Sequence, residues 1–328
     1  MVTDMDRQRL TEKGRGRRAY WPQRIPRLGW WDIARRVFTK ISEDRVMLIA
    51  AGSTFYLLLA IFPALAAFVS LYGLVADPST IADHIAFLSR LMPEAAFDLI
   101  NSQLKAFATA NSNALSFGFV FGLLAALWSA NNGIKTLFDA MNIAYEEREH
   151  RSFIRLNLVS FVFTFGAMII AALLIVVVGV IPALLAFLRL TTVADLLIRI
   201  VRWPLMLIFI AFGISIIYRF GPSRRRAKWR WQVPGAVLAT VVWIIASIAF
   251  SWYLQSFANY NATYGSLGAA IGFLMWTWIS LVILIVGAEI NAEMEHQTGM
   301  DSTIGEDKPM GERGARAADT LGASANEQ

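Results

Sequence analysis

From Trp231 to Ala288 the chain runs for 58 residues without Asp, Glu, Lys, Arg or His. A helix needs about 20 apolar residues to cross the hydrocarbon core of a bilayer, so this run predicts two crossings and a turn between them. The turn is marked at Asn259-Tyr260-Asn261-Ala262-Thr263-Tyr264-Gly265, where polar residues, aromatics and a glycine replace Val, Ile and Leu. Four earlier apolar runs predict crossings over about 46–74, 115–134, 156–185 and 196–218, which join 233–256 and 265–288 to make six. The fourth has only 16 uncharged residues between Arg202 and Arg219. It reaches spanning length only by starting near Leu196, with Arg199 and Arg202 extending outward to the interface.

Between the first two crossings, residues 76–114 are too polar to span. Ile81, Ile85, Leu88 and Leu91, then Phe97, Ile100, Leu104 and Phe107, recur at helical spacing and predict two amphipathic helices along the outer surface. A third amphipathic helix is predicted over 29–45, where Trp30, Trp31, Ile33, Val37, Phe38 and Ile41 interleave with Arg35, Arg36 and Lys40. Tryptophan beside arginine suits the headgroup layer of an anionic leaflet, and the same pattern suits a helix docked on the protein's own cytoplasmic face. Residues 1–28 are basic and 299–328 are poor in apolar side chains, a composition that predicts disorder at both ends. The predicted fold is therefore all-α: a polytopic membrane domain over 46–298 with six transmembrane helices, plus amphipathic surface helices.

Composition agrees, with 56% hydrophobic residues and a mean hydropathy of +0.51, against roughly 45–50% apolar in soluble domains. Cysteine is absent, which excludes thiolate chemistry and Cys-ligated metals, and the three histidines are scattered in polar segments. The apolar runs begin only after some 45 polar and basic residues, which is no secretory signal pattern. The net charge of +6 is explained by topology. With six crossings, 25 of the 30 Lys and Arg fall on one side with both termini, and five fall on the other. Positive charge is retained in the cytoplasm, so both termini are expected inside a bacterial inner membrane, and nucleic acid is not needed to account for the basic pI.

Polar groups inside a membrane cost free energy unless they find partners. Ser53, Thr54, Thr164, Ser215, Ser247, Ser251 and Thr277 suit ordinary bonds between helices. Asn131 and Asn132, at the expected end of the second crossing, either cap it with Gly133 or line a polar cavity. Glu289 closes the sixth crossing, where a carboxylate opposes the helix dipole. It either pairs with an arginine such as those at 224–226, remains solvated, or serves as a proton- or cation-coupling acid. Arg199 and Arg202, three apart on one face, either anchor to outer headgroups or receive an anionic headgroup. Trp252, Tyr253, Tyr260 and Tyr264 gather where aromatic belts form.

The chain contains no Walker loop, no GxSxG, no HExxH and no acidic cluster for magnesium, so it offers no visible apparatus for hydrolysis. What it does contain is a set of motifs: Ala50-Ala51, Phe55-Tyr56 and Phe62-Pro63; Trp128-Ser129-Ala130 with Gly133; Met141-Asn142 with Tyr145; Pro234-Gly235-Ala236; Ser251-Trp252-Tyr253; Tyr264-Gly265-Ser266-Leu267-Gly268; Trp276 with Trp278; and Gly287-Ala288-Glu289-Ile290-Asn291. In combination these resemble the YihY/BrkB family of six-span bacterial inner-membrane proteins, formerly labelled ribonuclease BN, over about residues 45–296. The chain departs at Asn131-Asn132, where many members have Ser-Arg or Ser-Lys, and at Ala60, where Ser is common. The resemblance implies movement of lipids or other amphipathic molecules, since a relative is associated with lipid A precursor export.

The functional expectation is a non-enzymatic transporter or translocase without cofactor or metal. Tyr56, Asn131, Asn132, Tyr264, Glu289 and Asn291 are expected along the substrate path, with Arg199 and Arg202 receiving an anionic headgroup. Its partners are membrane lipids and an anionic or amphipathic substrate rather than nucleic acid, and a homo-oligomer is compatible with such a chain. The competing readings are a membrane scaffold for envelope assembly or serum resistance, and a membrane-attached ribonuclease.

Overall fold

The computed structural model describes residues 4–75, 112–175, 192–256 and 268–327. The helices expected over 76–114, apart from residues 112–114, which open the helix of the second crossing, lie outside these residues, as do the turn holding Tyr260 and Tyr264 and the far end of the third crossing with Pro182. In order, the described helices are α1 (Asp4–Leu10), α2 (Arg27–Glu43), α3 (Val46–Val75), α4 (Ser112–Ala144), α5 (Phe153–Ile175), α6 (Thr192–Phe220), α7 (Trp229–Ser256), α8 (Gly268–His296) and α9 (Arg316–Asp319). A short 3-10 turn, Pro22–Arg24, precedes α2. The long apolar runs become helices because lipid offers the backbone no hydrogen bonds, and a helix satisfies its own.

Among the described residues, four helices are long and apolar enough to cross a membrane, over Phe153–Ile170, Trp203–Phe220, Trp229–Leu254 and Ile271–His296, and Val46–Ala60 is a shorter apolar stretch of α3. Two boundaries differ from the sequence pattern. The second apolar run does not end at Asn131-Asn132-Gly133: α4 continues to Ala144, which places both asparagines inside the helix and removes their capping role. Likewise α8 continues to His296, so Glu289 sits about two turns before the helix end and the dipole argument against it weakens. In both cases the polar residues beyond the apolar run stay helical because they pack and pair instead of meeting water.

The chain divides into two compact units, one of residues 1–50, 135–245 and 280–328, the other of residues 51–134 and 246–279. In the first unit, Ala19, Ile25, Ile33, Val37, Ala227, Trp231 and Met294 form a small core. One face of α2 is thus docked on the protein itself, while Trp31 and Phe38 on other faces remain 65% and 80% exposed. The termini also depart from the expected disorder. Thr298 donates to the Ala19 carbonyl at 2.8 Å, Gly299 to that of Arg17 at 2.8 Å, and Arg9 pairs with Glu327 at 3.0 Å. The charges that read as disorder in composition are consumed as partners of one another.

In the second unit, α3 packs on α4 at Gly133, where a Cβ would make ordinary contacts of 3.5 Å with Leu57 and 3.7 Å with the Tyr56 Cβ. Trp276 donates through its indole N–H to Ser247 at 3.3 Å, a bond between α7 and α8. Thr277 instead donates back to the Phe273 carbonyl of its own helix at 2.8 Å, and in the first unit Thr164 and Ser215 do the same to Ser160 and Ala211. For these three hydroxyls the interhelical role expected from sequence is replaced by a local bond, the usual alternative for Ser and Thr inside helices.

Candidate functional site

The last turns of α8 carry three glutamates with different surroundings. Glu295 accepts from Arg224 Nη2 at 2.6 Å and from Ser302 at 2.5 Å, and both side chains of the ion pair are buried, at 2% and 0% exposed. Glu293 accepts from Arg36 Nε at 2.5 Å, and Arg36 also donates to the carbonyls of Glu293 and Ala323 and to Gln297. His296 Nδ1 lies 3.5 Å from the other oxygen of Glu293. Buried charges are tolerated on these terms, with an opposite charge and additional hydrogen bonds.

Glu289, one turn earlier, has neither. Its side chain is fully buried, and among the described residues no donor reaches either carboxylate oxygen. Neither Arg224, Arg225 nor Arg226 pairs with it; Arg224 is committed to Glu295. The group that faces it is a second carboxyl, Asp44, whose Oδ2 is likewise buried without a donor. The other charges nearby are Glu293, Lys40 and Glu146.

Two tight turns bring these groups together. Asp44 ends α2, and the next residue, Arg45, takes a left-handed φ of 50° so that α3 can start immediately; Glu146, just beyond α4, takes a φ of 52°. Lys40 bridges them, at 2.7 Å from Glu146 and 3.9 Å from Asp44. Burial opposes the Lys40 charge, but Glu146 outweighs it and holds the ammonium above its ordinary range. Burial also pushes Glu146 up, and the bond from Lys40 together with the nearby His296 and Arg316, the latter 2.8 Å away, more than reverses this. Asp44 keeps a net rise led by burial, to which Glu146 and Glu43 add and which Lys40 opposes. A cleft of about 230 Å³ borders the cluster, with Arg9, Arg36, Lys40, Glu146, Glu293 and His296 among its lining. The arrangement can hold a proton or a small cation between the buried Glu289 carboxyl and the partly buried Asp44, next to a charged opening. Among the described residues no group of three or more His, Asp or Glu is spaced for a metal ion.

Of the residues expected along a substrate path, Glu289 and Asn291 share the first unit, but Asn291 is a clamp. Its Oδ1 accepts from the Gly235 backbone at 2.9 Å and its Nδ2 donates to the Gln232 carbonyl at 2.9 Å, so both ends of the amide tie α8 to α7. The two helices approach so closely that a Cβ at Gly235 would lie 2.6 Å from Asn291 Cγ. Tyr145, which donates to Gln232 at 2.9 Å, and Tyr218, which donates to the Leu284 carbonyl at 2.7 Å, brace the same crossing. Tyr56, Asn131 and Asn132 belong to the second unit, with Asn131 buried. Arg199 and Arg202 lie on α6 as backbone, with their side chains outside the described residues, as is all of Tyr264. Asp44, Lys40 and Glu146 were not singled out from sequence. They read as ordinary charges in polar links, and only the two left-handed turns place them beside Glu289.

The described chain is therefore an all-helical, membrane-embedded protein with a buried glutamate facing a partly buried aspartate near one helix end. The family model described as Virulence factor BrkB matches residues 37–311, and the chain belongs to that family. It is 34% identical over 249 residues to the ribonuclease-like protein YfkH of Bacillus subtilis, covering 74% of this chain and 88% of the relative. It is also 28% identical over 266 residues to the UPF0761 membrane protein Nmul_A0452 of Nitrosospira multiformis, covering 80% of this chain but 61% of that longer protein. A UPF0761 membrane protein of Vibrio atlanticus is 25% identical over 269 residues, with 80% and 82% covered. No solved structure matches.

Proposed function

We propose that this protein is a transporter or translocase of a lipid-like or other amphipathic substrate, with six crossings and both termini in the cytoplasm of a bacterial inner membrane. The observation that carries this reading is Glu289, a carboxyl in an apolar helix, fully buried and without a donor. A bare carboxylate so placed costs several kcal/mol, and relief comes from a proton, a cation or a partner that arrives when the helices move. Coupled transporters use groups of this kind, because the site is stable only when loaded or rearranged. A scaffold gains nothing from it, and a nuclease would need a metal or general-base arrangement around it.

The test is reconstitution of the full chain into liposomes that carry a fluorescent short-chain phosphatidylglycerol, with movement between leaflets read by quenching. The expected result is movement faster than in protein-free vesicles and about tenfold slower with Glu289→Gln at an unchanged amount of folded protein, about 1.4 kcal/mol in barrier. Movement equal to empty vesicles favours the scaffold; movement faster than empty vesicles but equal in the variant keeps the translocase and removes Glu289 from its mechanism. Magnesium-dependent RNA cleavage that survives purification and is lost in a point variant would restore the ribonuclease reading.

A further inference from the structure

The start of α5 and the end of α6 border a groove of about 650 Å³, separate from the carboxyl pair. Its lining includes Arg151, Arg155, Arg219, Arg224, Arg225 and Arg226, and no carboxylate. Two of these arginines are already committed. Arg151 is forked by Glu149 at 2.6 Å and donates to the Gly221 carbonyl at 2.8 Å, and Arg224 pairs with Glu295. They hold the floor rigid. The other four have no carboxylate within ion-pair distance among the described residues. Arg219 donates to the Ala227 carbonyl at 3.0 Å and lies over Trp229 at 4.4 Å, and Arg225 donates to the Glu306 carbonyl at 3.4 Å, but Arg219 Nε and Arg225 Nη1 are buried without an acceptor; Arg226 stacks over Phe220 at 4.5 Å, and Arg155 is exposed. Four guanidiniums gathered without counter-charge repel one another, and a bound phosphate relieves them, since the guanidinium fork matches phosphate oxygens in pairs.

The opposite wall decides which phosphate. It is the apolar face of α5, where Leu158 and Val162 are 65% and 63% exposed on a stretch apolar enough to cross a membrane. A free ion would leave that wall unused, whereas an acyl chain would cover it. The groove also lies at headgroup depth. Arg199 and Arg202 stand 17 to 20 residues before Arg219 on α6, about 25–30 Å away by helical rise, close to the thickness of a bilayer core. They belong to the other leaflet.

We infer that this groove binds an anionic glycerophospholipid of the leaflet on its own side, with the phosphate on Arg155, Arg225 and Arg226 and one acyl chain along Leu158 and Val162. The site goes beyond the transport reading, because binding here holds whether or not the lipid is moved, and the test reads binding alone.

The test is native mass spectrometry of the full chain in detergent, titrated with dioleoyl phosphatidylglycerol or dioleoyl phosphatidylcholine. Phosphatidylglycerol is expected to bind at least about tenfold more tightly, from roughly one kcal/mol per basic residue near the headgroup. The double variant Arg155→Gln/Arg226→Gln removes most of that preference. The charge-conserving Arg155→Lys/Arg226→Lys keeps part of it and controls for folding, as both residues are exposed and outside any ion pair. Equal binding of the two lipids overturns the site, as does a preference unchanged by the glutamine pair. Displacement of the lipid by millimolar inorganic phosphate overturns the lipid assignment in favour of a free anion, and displacement by a short single-stranded RNA overturns it in favour of nucleic acid.

Discussion

Two regions of one helix make the instructive contrast. In the last two turns of α8, Glu293 and Glu295 are each locked to an arginine and to further donors; one turn earlier Glu289 is buried as deeply and has none. The same residue type on the same apolar helix is paired in one place and left without a donor in the other. What differs is the arrival of a long cationic side chain from elsewhere in the chain: Arg36 from α2 and Arg224 from the link after α6. Glu289 receives Asp44 instead.

The contrast is broken most directly by removing a partner from the paired region. Arg224→Ala leaves Glu295 charged and buried, and a loss of about 3–5 kcal/mol in stability is expected. Thermal unfolding in detergent checks it; a change below about 1 kcal/mol would mean that water reaches Glu295. The second largest effect falls on the crossing that presents Glu289. Asn291→Ala strips the Gly235 N–H and the Gln232 carbonyl of their amide, and about 1–3 kcal/mol should be lost. Full stability with lost transport would return Asn291 to the substrate path.

Glu289→Gln sharpens the comparison by reversing the sign. An amide carries no charge to desolvate and can donate to Asp44, so the melting temperature should hold or rise, while Glu295→Gln lowers it. A fall equal to that of Glu295→Gln would place a hidden cation beside Glu289. The smallest effect lies at the edge of the network, where burial pushes the Glu149 carboxyl up but Arg151 and Asn142 together bring it down to about 2. A carboxyl lowered on folding stabilises at pH above its ordinary value of 4.5 and loses that contribution as pH falls toward 2. The stability gap between wild type and Glu149→Gln should therefore close on acidification through that window, and a gap that widens would contradict the pairing.

The candidate site was only half legible in the primary sequence. Glu289 was visible because a carboxylate next to a long uncharged run is conspicuous whatever surrounds it. Asp44 and Glu146 were not, because an acid in a polar link looks solvated until the backbone turns at Arg45 and Glu146 fold it inward. Asn291 was misjudged for the opposite reason: an intramembrane amide advertises polarity, and whether both its ends are satisfied depends on how closely α7 passes. The reading of the termini as disordered failed similarly, since composition counts charges without knowing that Arg17 meets Glu12 and Lys228 meets Asp307.

What the amino-acid order determined by itself is the helical, membrane-embedded class and most helix positions. Apolar runs of spanning length have one stable answer in lipid, because only an internally bonded backbone survives there. What tertiary structure alone decided is which polar residues are spent and which are left over. Arg36, Arg224 and Asn291 are consumed in holding α8, while Glu289 has no donor and Arg155 and Arg226 stand outside any ion pair among the described residues. That division depends on contacts between segments far apart in the chain, 257 residues between Arg36 and Glu293, and local pattern carries no information at that range.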